Sequence, residues 1–293
     1  MLDFRIDTFL AVCRHMNFTK AAEELSITQP AVSQHIRALE ENYGVRLFGH
    51  KGKKIQLTPA GQLFLNAVTT VKHDDIFLRE TLLDIQEAKN KLVFGATRTV
   101  GDFLLPEKLA AFLRRAPDAR INMVVANTSE LLKKLDGGEI DFAVAEGFFE
   151  RSEYDSLLFS RENYIAVCGS GYPLPQSACV VEELLSCRLL IREAGSGTRE
   201  ILEHYLEGRN LTVRDFKSRL EASSISAIKA LARENGGVTF LYEAAVQEEL
   251  SAGTLRKILL QDFPLTHDIT FLWRRGSIFA EHYYEIFREL VTV

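Results

Sequence analysis

Cysteine, methionine and tryptophan are scarce in this 293-residue chain, at four, three and one. Cys13, Cys168, Cys179 and Cys187 form no CxxC pair and match no zinc-module spacing. They read as small buried hydrophobes of a reducing compartment rather than a disulfide framework. The seven histidines are equally scattered, so neither a metal site nor a cofactor is expected. No run approaches the roughly 18 uninterrupted apolar residues that span a bilayer, which argues against a membrane partner. The opening Met1-Leu2-Asp3-Phe4-Arg5-Ile6-Asp7 places two acids ahead of any apolar run and makes a poor signal peptide, so a cytoplasmic location is expected. GxSxG, HExxH and a GxGxxG following a strand are also missing, and nothing in the spacing asks for an enzyme.

The net charge of −5 at first argues against a nucleic-acid partner. Its distribution reverses that. Residues 1–58 carry eight Lys and Arg against six Asp and Glu, a net of +2, and the remainder carries −7. A basic head on an acidic body suggests two separate tasks.

Within the head, Phe9, Leu10, Val12, Cys13 and Met16 have helical spacing. Thr19 offers an N-cap for a second helix through Leu25, with Glu23 and Glu24 early in it. Ser26-Ile27-Thr28 breaks the pattern. Thr28 can cap a third helix that opens on Gln29-Pro30 and closes at Tyr43-Gly44. Two short helices across a tight turn form a helix-turn-helix pattern. Val45–Phe48 and Ile55–Thr58 then read as short strands around the turn His50-Lys51-Gly52-Lys53-Lys54, a basic wing. The third helix divides its faces. Ala31, Val32, Ile36 and Leu39 can pack inward, while Gln29, Ser33, Gln34 and Arg37 can reach base edges in a major groove. Lys20, Lys51, Lys53 and Lys54 suit phosphate or minor-groove contacts, which give affinity rather than sequence choice.

From Thr58-Pro59 a helix can run to about Lys89 with an apolar stripe of Leu63, Phe64, Val68, Val71, Leu78, Leu82 and Ile85. Such a stripe fits a dimerisation element or a helix packed on its own body. Beyond Lys91 strands and helices alternate. Strands are expected near 92–96, 121–125, 142–145, 164–167, 189–191, 237–241 and 269–273, which implies an α/β body with parallel sheets and helices on both faces.

Phe18-Thr19-Lys20-Ala21-Ala22-Glu23-Glu24-Leu25, Thr28-Gln29-Pro30-Ala31-Val32-Ser33-Gln34-His35-Ile36, Leu39-Glu40, Gly44-Val45-Arg46-Leu47-Phe48 and Leu57-Thr58-Pro59-Ala60-Gly61 closely resemble the N-terminal signature of LysR-type transcriptional regulators. Gly95–Thr99, Asp102–Pro106, Asp141–Val144 and Ser226–Leu231 are similar to stretches of that family's effector domain. The resemblance implies a winged helix-turn-helix over 1–58, in which Lys20, Gln29, Pro30, Ser33, Gln34, Arg37, Lys51, Lys53 and Lys54 meet DNA. It implies a linker helix over 59–89 and a bilobed, periplasmic-binding-protein-like effector domain over 90–293. Lobe 1 would be 92–163 with 268–293, and lobe 2 would be 164–267. The implied partners are promoter DNA, a small-molecule or anion effector, a second or further copies of the chain as homodimer or homotetramer, and RNA polymerase.

Two segments stand out as effector contacts on their own chemistry. Thr97-Arg98-Thr99 and Gly195-Ser196-Gly197-Thr198-Arg199 each follow a buried strand and open a helix, putting hydroxyls and free N–H groups at a ready anion site. The expected effector set is Thr97, Arg98, Thr99, Ser129, Glu146, Ser196, Gly197 and Thr198. The hydroxyls fit ligand binding or plain helix capping. Glu146 fits a ligand hydroxyl or amine, or an ion pair with Arg98. A small oxyanion such as sulfate or sulfite and a small carboxylate suit the loops equally.

Overall fold

The computed structural model describes residues 3–52, 54–83, 91–174, 180–261, 263 and 265–291. Lys53 and the last part of the expected linker helix, 84–89 with Ile85, lie outside them. The chain divides into two compact units.

The first unit holds Met1–Glu87 together with Asp136–Gly138 and Arg274–Ile278. Its elements are α1 (Phe4–His15), α2 (Phe18–Leu25), α3 (Gln29–Tyr43), β1 (Phe48–Lys51), β2 (Lys54–Leu57) and α4 (Pro59–Leu83). Asn17, not Thr19, caps α2, and its side chain accepts from Thr19 N and Lys20 N. Both residue types are good caps, so the earlier one takes the helix start. Thr28 caps α3 through Ala31 N at 3.4 Å, and Gly44 closes it in the left-handed region at φ 68°. Phe9, Val12, Ala21, Val32, Ile36, Leu39 and Leu47 fill the core, which Val68 of α4 joins. A Cβ on Gly61 would lie 2.0 Å from the Leu47 carbonyl oxygen, so only glycine lets α4 start against the wing.

Buried Glu40 pins the wing to α3. Its carboxylate accepts from Leu47 N at 2.8 Å and Phe48 N at 3.3 Å, and pairs with Arg46 at 2.7 Å. The two short segments from far along the chain seat on α4. Arg274, 2% exposed, donates to Asp136 (2.8 Å) and to the Asn66 carbonyl (3.2 Å). Asp74 accepts from Ser277 Oγ at 2.6 Å and Ile278 N at 2.9 Å. Leu63, Val71, Leu78 and Leu82 of the same helix stay exposed. Thus α4 packs on part of its own chain and still presents an apolar stripe.

The second unit holds β3 (Lys91–Thr97), a π-helical turn (Val100–Leu104), α5 (Leu105–Arg115), β4 (Arg120–Ala126), α6 (Thr128–Asp136), β5 (Phe142–Ala145), β6 (Tyr154–Gly169), a 3-10 turn (Val181–Ser186), β7 (Arg188–Arg192), α7 (Gly197–Glu207), β8 (Ser218–Ala222), α8 (Ile225–Arg233), β9 (Val238–Tyr242), α9 (Glu243–Ser251), β10 (Leu255–Lys257), β11 (Leu265–Arg274) and α10 (Ala280–Val291). The sheet is mixed, not parallel throughout. Its order is β4-β3-β5-β11-β6-β9-β7-β8, with β10 on β6. Each half has a parallel set, β4-β3-β5 and β9-β7-β8. Between them run β11, antiparallel to β5, and β6, antiparallel to β9. These two strands join the halves. β6 runs unbroken for 16 residues through the boundary expected at 163/164. Its first ten residues mostly alternate half-buried with exposed positions and its last four residues are all buried, as a strand passing from a sheet margin to a covered interior should. In each half the parallel strands end at one edge, where open α/β sheets bind ligands.

Candidate nucleic-acid interface and effector cleft

On the head, the capped start of α3 leaves Gln29, Pro30, Gln34 and Arg37 exposed and Ser33 half-buried. Gln29 Nε2 donates to Ser33 Oγ at 2.9 Å, one turn apart, so these two side chains present one joined polar patch. His35 is held differently: its Nδ1 meets Thr8 Oγ1 at 3.0 Å and its ring packs edge-on to Phe4, which braces α3 on α1. The cations fall into two groups. Arg5, Arg14, Arg46 and Lys72 are paired with Asp3, Glu24, Glu40 and Asp7. Lys20, Arg37, Lys51 and Lys54 are exposed and have no ion pair among the described residues. The unneutralised charges lie on α3, the start of α2 and the wing, a distribution a winged helix-turn-helix can offer to a duplex.

In the second unit the strand ends converge on Glu146, which follows β5. The residue is 2% exposed. Its carboxylate accepts from Thr97 Oγ1, at the end of β3, and from Thr198 Oγ1 of α7 at 3.0 Å. Its carbonyl accepts from Thr128 Oγ1 of α6 at 2.8 Å. A Cβ on Gly197 would fall 2.4 Å from that carbonyl oxygen and 2.7 Å from Thr128 Oγ1, so only glycine lets α7 approach β5 and α6 this closely. Tyr164 OH donates to the Thr198 carbonyl at 2.7 Å, and Ser129 N donates to the Gly195 carbonyl at 3.2 Å. Burial pushes the Glu146 carboxyl above its usual range, against the pull of the two threonine hydroxyls and the Arg192 charge. Burial likewise holds the Tyr164 and Tyr242 phenols well above theirs.

Arg192 closes β7 at 3% exposure. It forks onto Glu193 through Nε (2.8 Å) and Nη2 (3.1 Å), while Nη1 has no partner. Arg98 approaches the same carboxylate at 3.8 Å, and its Nε is buried without a hydrogen bond. Thr99 Oγ1 is also buried and unbonded. Burial works against the Glu193 charge, but the Arg192 contact outweighs it and brings this carboxyl below its usual range.

The structure thus sorts the residues expected at the effector site. Thr97 and Thr198 are joined through Glu146, so the partner of Glu146 is this hydroxyl pair and not Arg98. Arg98 turns to Glu193, because a neighbouring carboxylate already forked by Arg192 offers it a less desolvated partner. Ser196 is buried at the start of α7 without capping it through its side chain, and Thr99 makes no side-chain cap. Asn127 caps α6, accepting from Glu130 N at 2.9 Å. Ser129 joins the Gly195 loop through its backbone. Arg192, Glu193 and Tyr164 are not among the residues expected at the site from sequence. The signal for the first was a charged residue ending the apolar run Leu189-Leu190-Ile191, at the strand edge that faces ligands.

Comparison with known proteins agrees with both halves of this geometry. The family model described as "Bacterial regulatory helix-turn-helix protein, lysR family" matches residues 5–62, and "LysR substrate binding domain" matches residues 86–289. The chain belongs to the LysR family of transcriptional regulators. This LysR-family regulator is 27% identical over 269 residues to the HTH-type transcriptional regulator CysL of Bacillus subtilis (strain 168), spanning 91% of this chain and 89% of that one. It is 30% identical over 262 residues to the HTH-type transcriptional activator CmpR of Synechocystis sp., spanning 89% and 85%. Solved structures similar to it include an H2O2-bound mutant of Corynebacterium glutamicum OxyR, with a TM-score of 0.62, 24% identity and coverage of 98% and 91%. The Synechocystis PCC6803 CcmR regulatory domain in complex with 2-PG superposes at a TM-score of 0.61 with 18% identity, covering 69% of this regulator and 98% of that chain. These two likenesses are of fold. The bilobed LysR effector domain shares its plan with periplasmic binding proteins by analogy of architecture alone. Among the described residues no helix is long and apolar enough to cross a membrane.

Proposed function

We propose that this LysR-family regulator reads promoter DNA in the cytoplasm as a homodimer or homotetramer, and that a small oxyanion or carboxylate bound at the ends of β3 and β7 tunes that binding. The head 1–58 reads the duplex, the linker 59–89 pairs subunits, and 90–293 senses the effector, with lobe 1 as 92–163 plus 268–293 and lobe 2 as 164–267. The exposed stripe Leu63, Val71, Leu78 and Leu82 is the surface through which α4 meets a second copy. RNA polymerase is the protein partner at the promoter. The chain is a regulator and not an enzyme, in keeping with its curated relatives.

One observation carries the effector reading: Arg192 Nη1 at the end of β7, and Arg98 Nε and Thr99 Oγ1 just past the end of β3, are buried and make no hydrogen bond. A buried donor left without an acceptor costs roughly 1–3 kcal/mol, more when charged, and an anion bound at these strand ends supplies the missing acceptor. Thr97, Ser129, Ser196, Gly197 and Thr198 form the adjoining wall. The 2-PG bound to the CcmR regulatory domain belongs to that protein, but a fold-mate with a bound small molecule supports a ligand-taking domain here. Of the cysteines, Cys179 lies outside the described residues; among the described ones Cys168 and Cys187 are buried, and burial pushes the Cys13 thiol up to about 12, which does not favour a thiol sensor.

Calorimetric titration of the full chain with sulfate, acetate and glycolate tests the reading. A saturable signal that Arg192→Met abolishes is the expected result. Equal heats for wild type and variant, or none for any anion, would count against it. A gel shift on promoter fragments should meanwhile give salt-dependent binding to a pseudo-palindromic site.

A further inference from the structure

We infer that the effector cleft takes up its anion together with a proton, and that Glu146 is the group that receives it. This rests on the anion reading above. A count of hydrogens leads to it. A hydroxyl has one proton to donate, and an ionised carboxylate only accepts. Thr97 and Thr198 both spend theirs on Glu146. While Glu146 is ionised, the two hydroxyls at the centre of the strand ends have nothing left for a ligand. An incoming anion would then face a buried carboxylate with no hydrogen between them. Glu146 has little room to withdraw, because its backbone is fixed by Thr128 and by the close approach of Gly197. Protonation removes both obstacles. The carboxylic acid carries a donor of its own and needs at most one of the threonine protons, so at least one hydroxyl turns to the ligand.

The neighbours leave Glu146 as the group to titrate. On β7, Arg192 forks onto Glu193, and that contact brings the Glu193 carboxyl below its usual range. After β3, Arg98 lies 3.8 Å from the same Glu193 carboxylate. From β6 and β9, Tyr164 and Tyr242 are kept neutral by burial. On α6, Glu130 is turned to the Asn127 N–H. On β11, His267 leans to its neutral form through burial and meets Tyr242 OH at 3.3 Å. Asp268 is paired with Arg161. On α7, Glu200 is also pushed up by burial, but its carboxylate accepts from the Phe148 N–H at 3.5 Å. Burial pushes the Glu146 carboxyl toward its protonated form.

The test is calorimetry on the full chain with sulfate, acetate and glycolate, which carry no titrating proton between about pH 6 and about pH 8. Each titration is repeated in two buffers of different ionisation enthalpy. Wild type should take up between about half a proton and one proton per anion, and its affinity should fall by up to about tenfold per pH unit as pH rises. Glu146→Gln should bind with no proton uptake and a flat pH profile, whereas Glu200→Gln and His267→Gln should keep the wild-type slope. The wild-type proton count stands even if a variant fails to fold. Anion binding with no proton exchange, or a slope that persists in Glu146→Gln, would overturn this inference and leave the anion reading intact. No binding of any anion in wild type or variants would overturn both.

Discussion

Replacing Gly197 by alanine places a methyl carbon 2.4 Å from the Glu146 carbonyl oxygen and 2.7 Å from Thr128 Oγ1. Ordinary contact begins near 3.4 Å, so α7 must retreat from β5 and α6 by about 1 Å. Overpacking of this kind costs about 1–3 kcal/mol. The retreat also strains the 2.8 Å bond from Thr128 to the same carbonyl, worth about 1 kcal/mol more. The total of about 2–4 kcal/mol has two outlets. If the contact holds, it appears as lost stability, a fall in melting temperature of about 4–16 °C for a unit of this size. If the two parallel halves of the sheet part instead, melting falls less and anion affinity drops by about tenfold or more, because the donors of β3 and β7 no longer converge. Differential scanning fluorimetry and calorimetry on the same sample read both outlets. Gly208→Ala, at the other end of α7, meets nothing closer than 3.5 Å at a φ of −59°, and should change neither by more than about 0.5 kcal/mol. A Gly197→Ala protein that melts and binds like wild type would refute the close approach on which the site is built.

Three further outcomes follow. Glu146→Gln should stabilise the protein increasingly as pH rises. A carboxyl whose folded pKa is raised contributes its stability in full below the unfolded value near 4.5 and loses it as pH climbs through the folded value, whereas glutamine does not titrate. Melting curves across pH in which the wild type gains on the variant toward high pH would contradict this. Glu40→Ala should cost about 2–3 kcal/mol of head stability in denaturant melts, since it leaves the buried Leu47 N–H without an acceptor, and a cost below about 0.5 kcal/mol would show the wing is held by other means. Arg37→Ala should flatten discrimination between operator variants, while Lys54→Ala should weaken all sequences alike and reduce the salt slope by about one. Anisotropy titrations in which the two variants behave alike would contradict the split between base reading and phosphate contact.

The head was legible because local chemistry decides it. Thr28, Pro30 and Gly44 each sit where capping or left-handed backbone demands such a residue, and α3 follows from them. The misplaced start of α2 came from two good caps, Asn17 and Thr19, only two residues apart. In the body the short apolar strands stood out, while β8 (Ser218–Ala222) and the first half of β6 did not, because alternating exposed positions such as Arg161 and Asn163 look like loop. Strand direction was not readable either. Nothing local to Ile269–Trp273 says that it runs antiparallel to β5, and that placement turns a parallel expectation into a mixed sheet. At the cleft, hydroxyl-rich loops after apolar strands announced themselves. What they bond to did not, since the meeting of Thr97, Glu146 and Thr198 joins residues 49 and 52 positions apart. Arg192 stayed hidden as the last residue of an apolar strand, where burial without a full set of partners is visible only in three dimensions.

The most direct test of the account is a promoter-duplex titration of the full chain, read by anisotropy over a salt series, with and without an anion that saturates the cleft. The account predicts steeply salt-dependent binding whose affinity shifts about fivefold or more when the anion is present, and an Arg192→Met protein that keeps the salt dependence and loses the shift. Unchanged DNA affinity at an anion concentration shown by calorimetry to fill the cleft would contradict it.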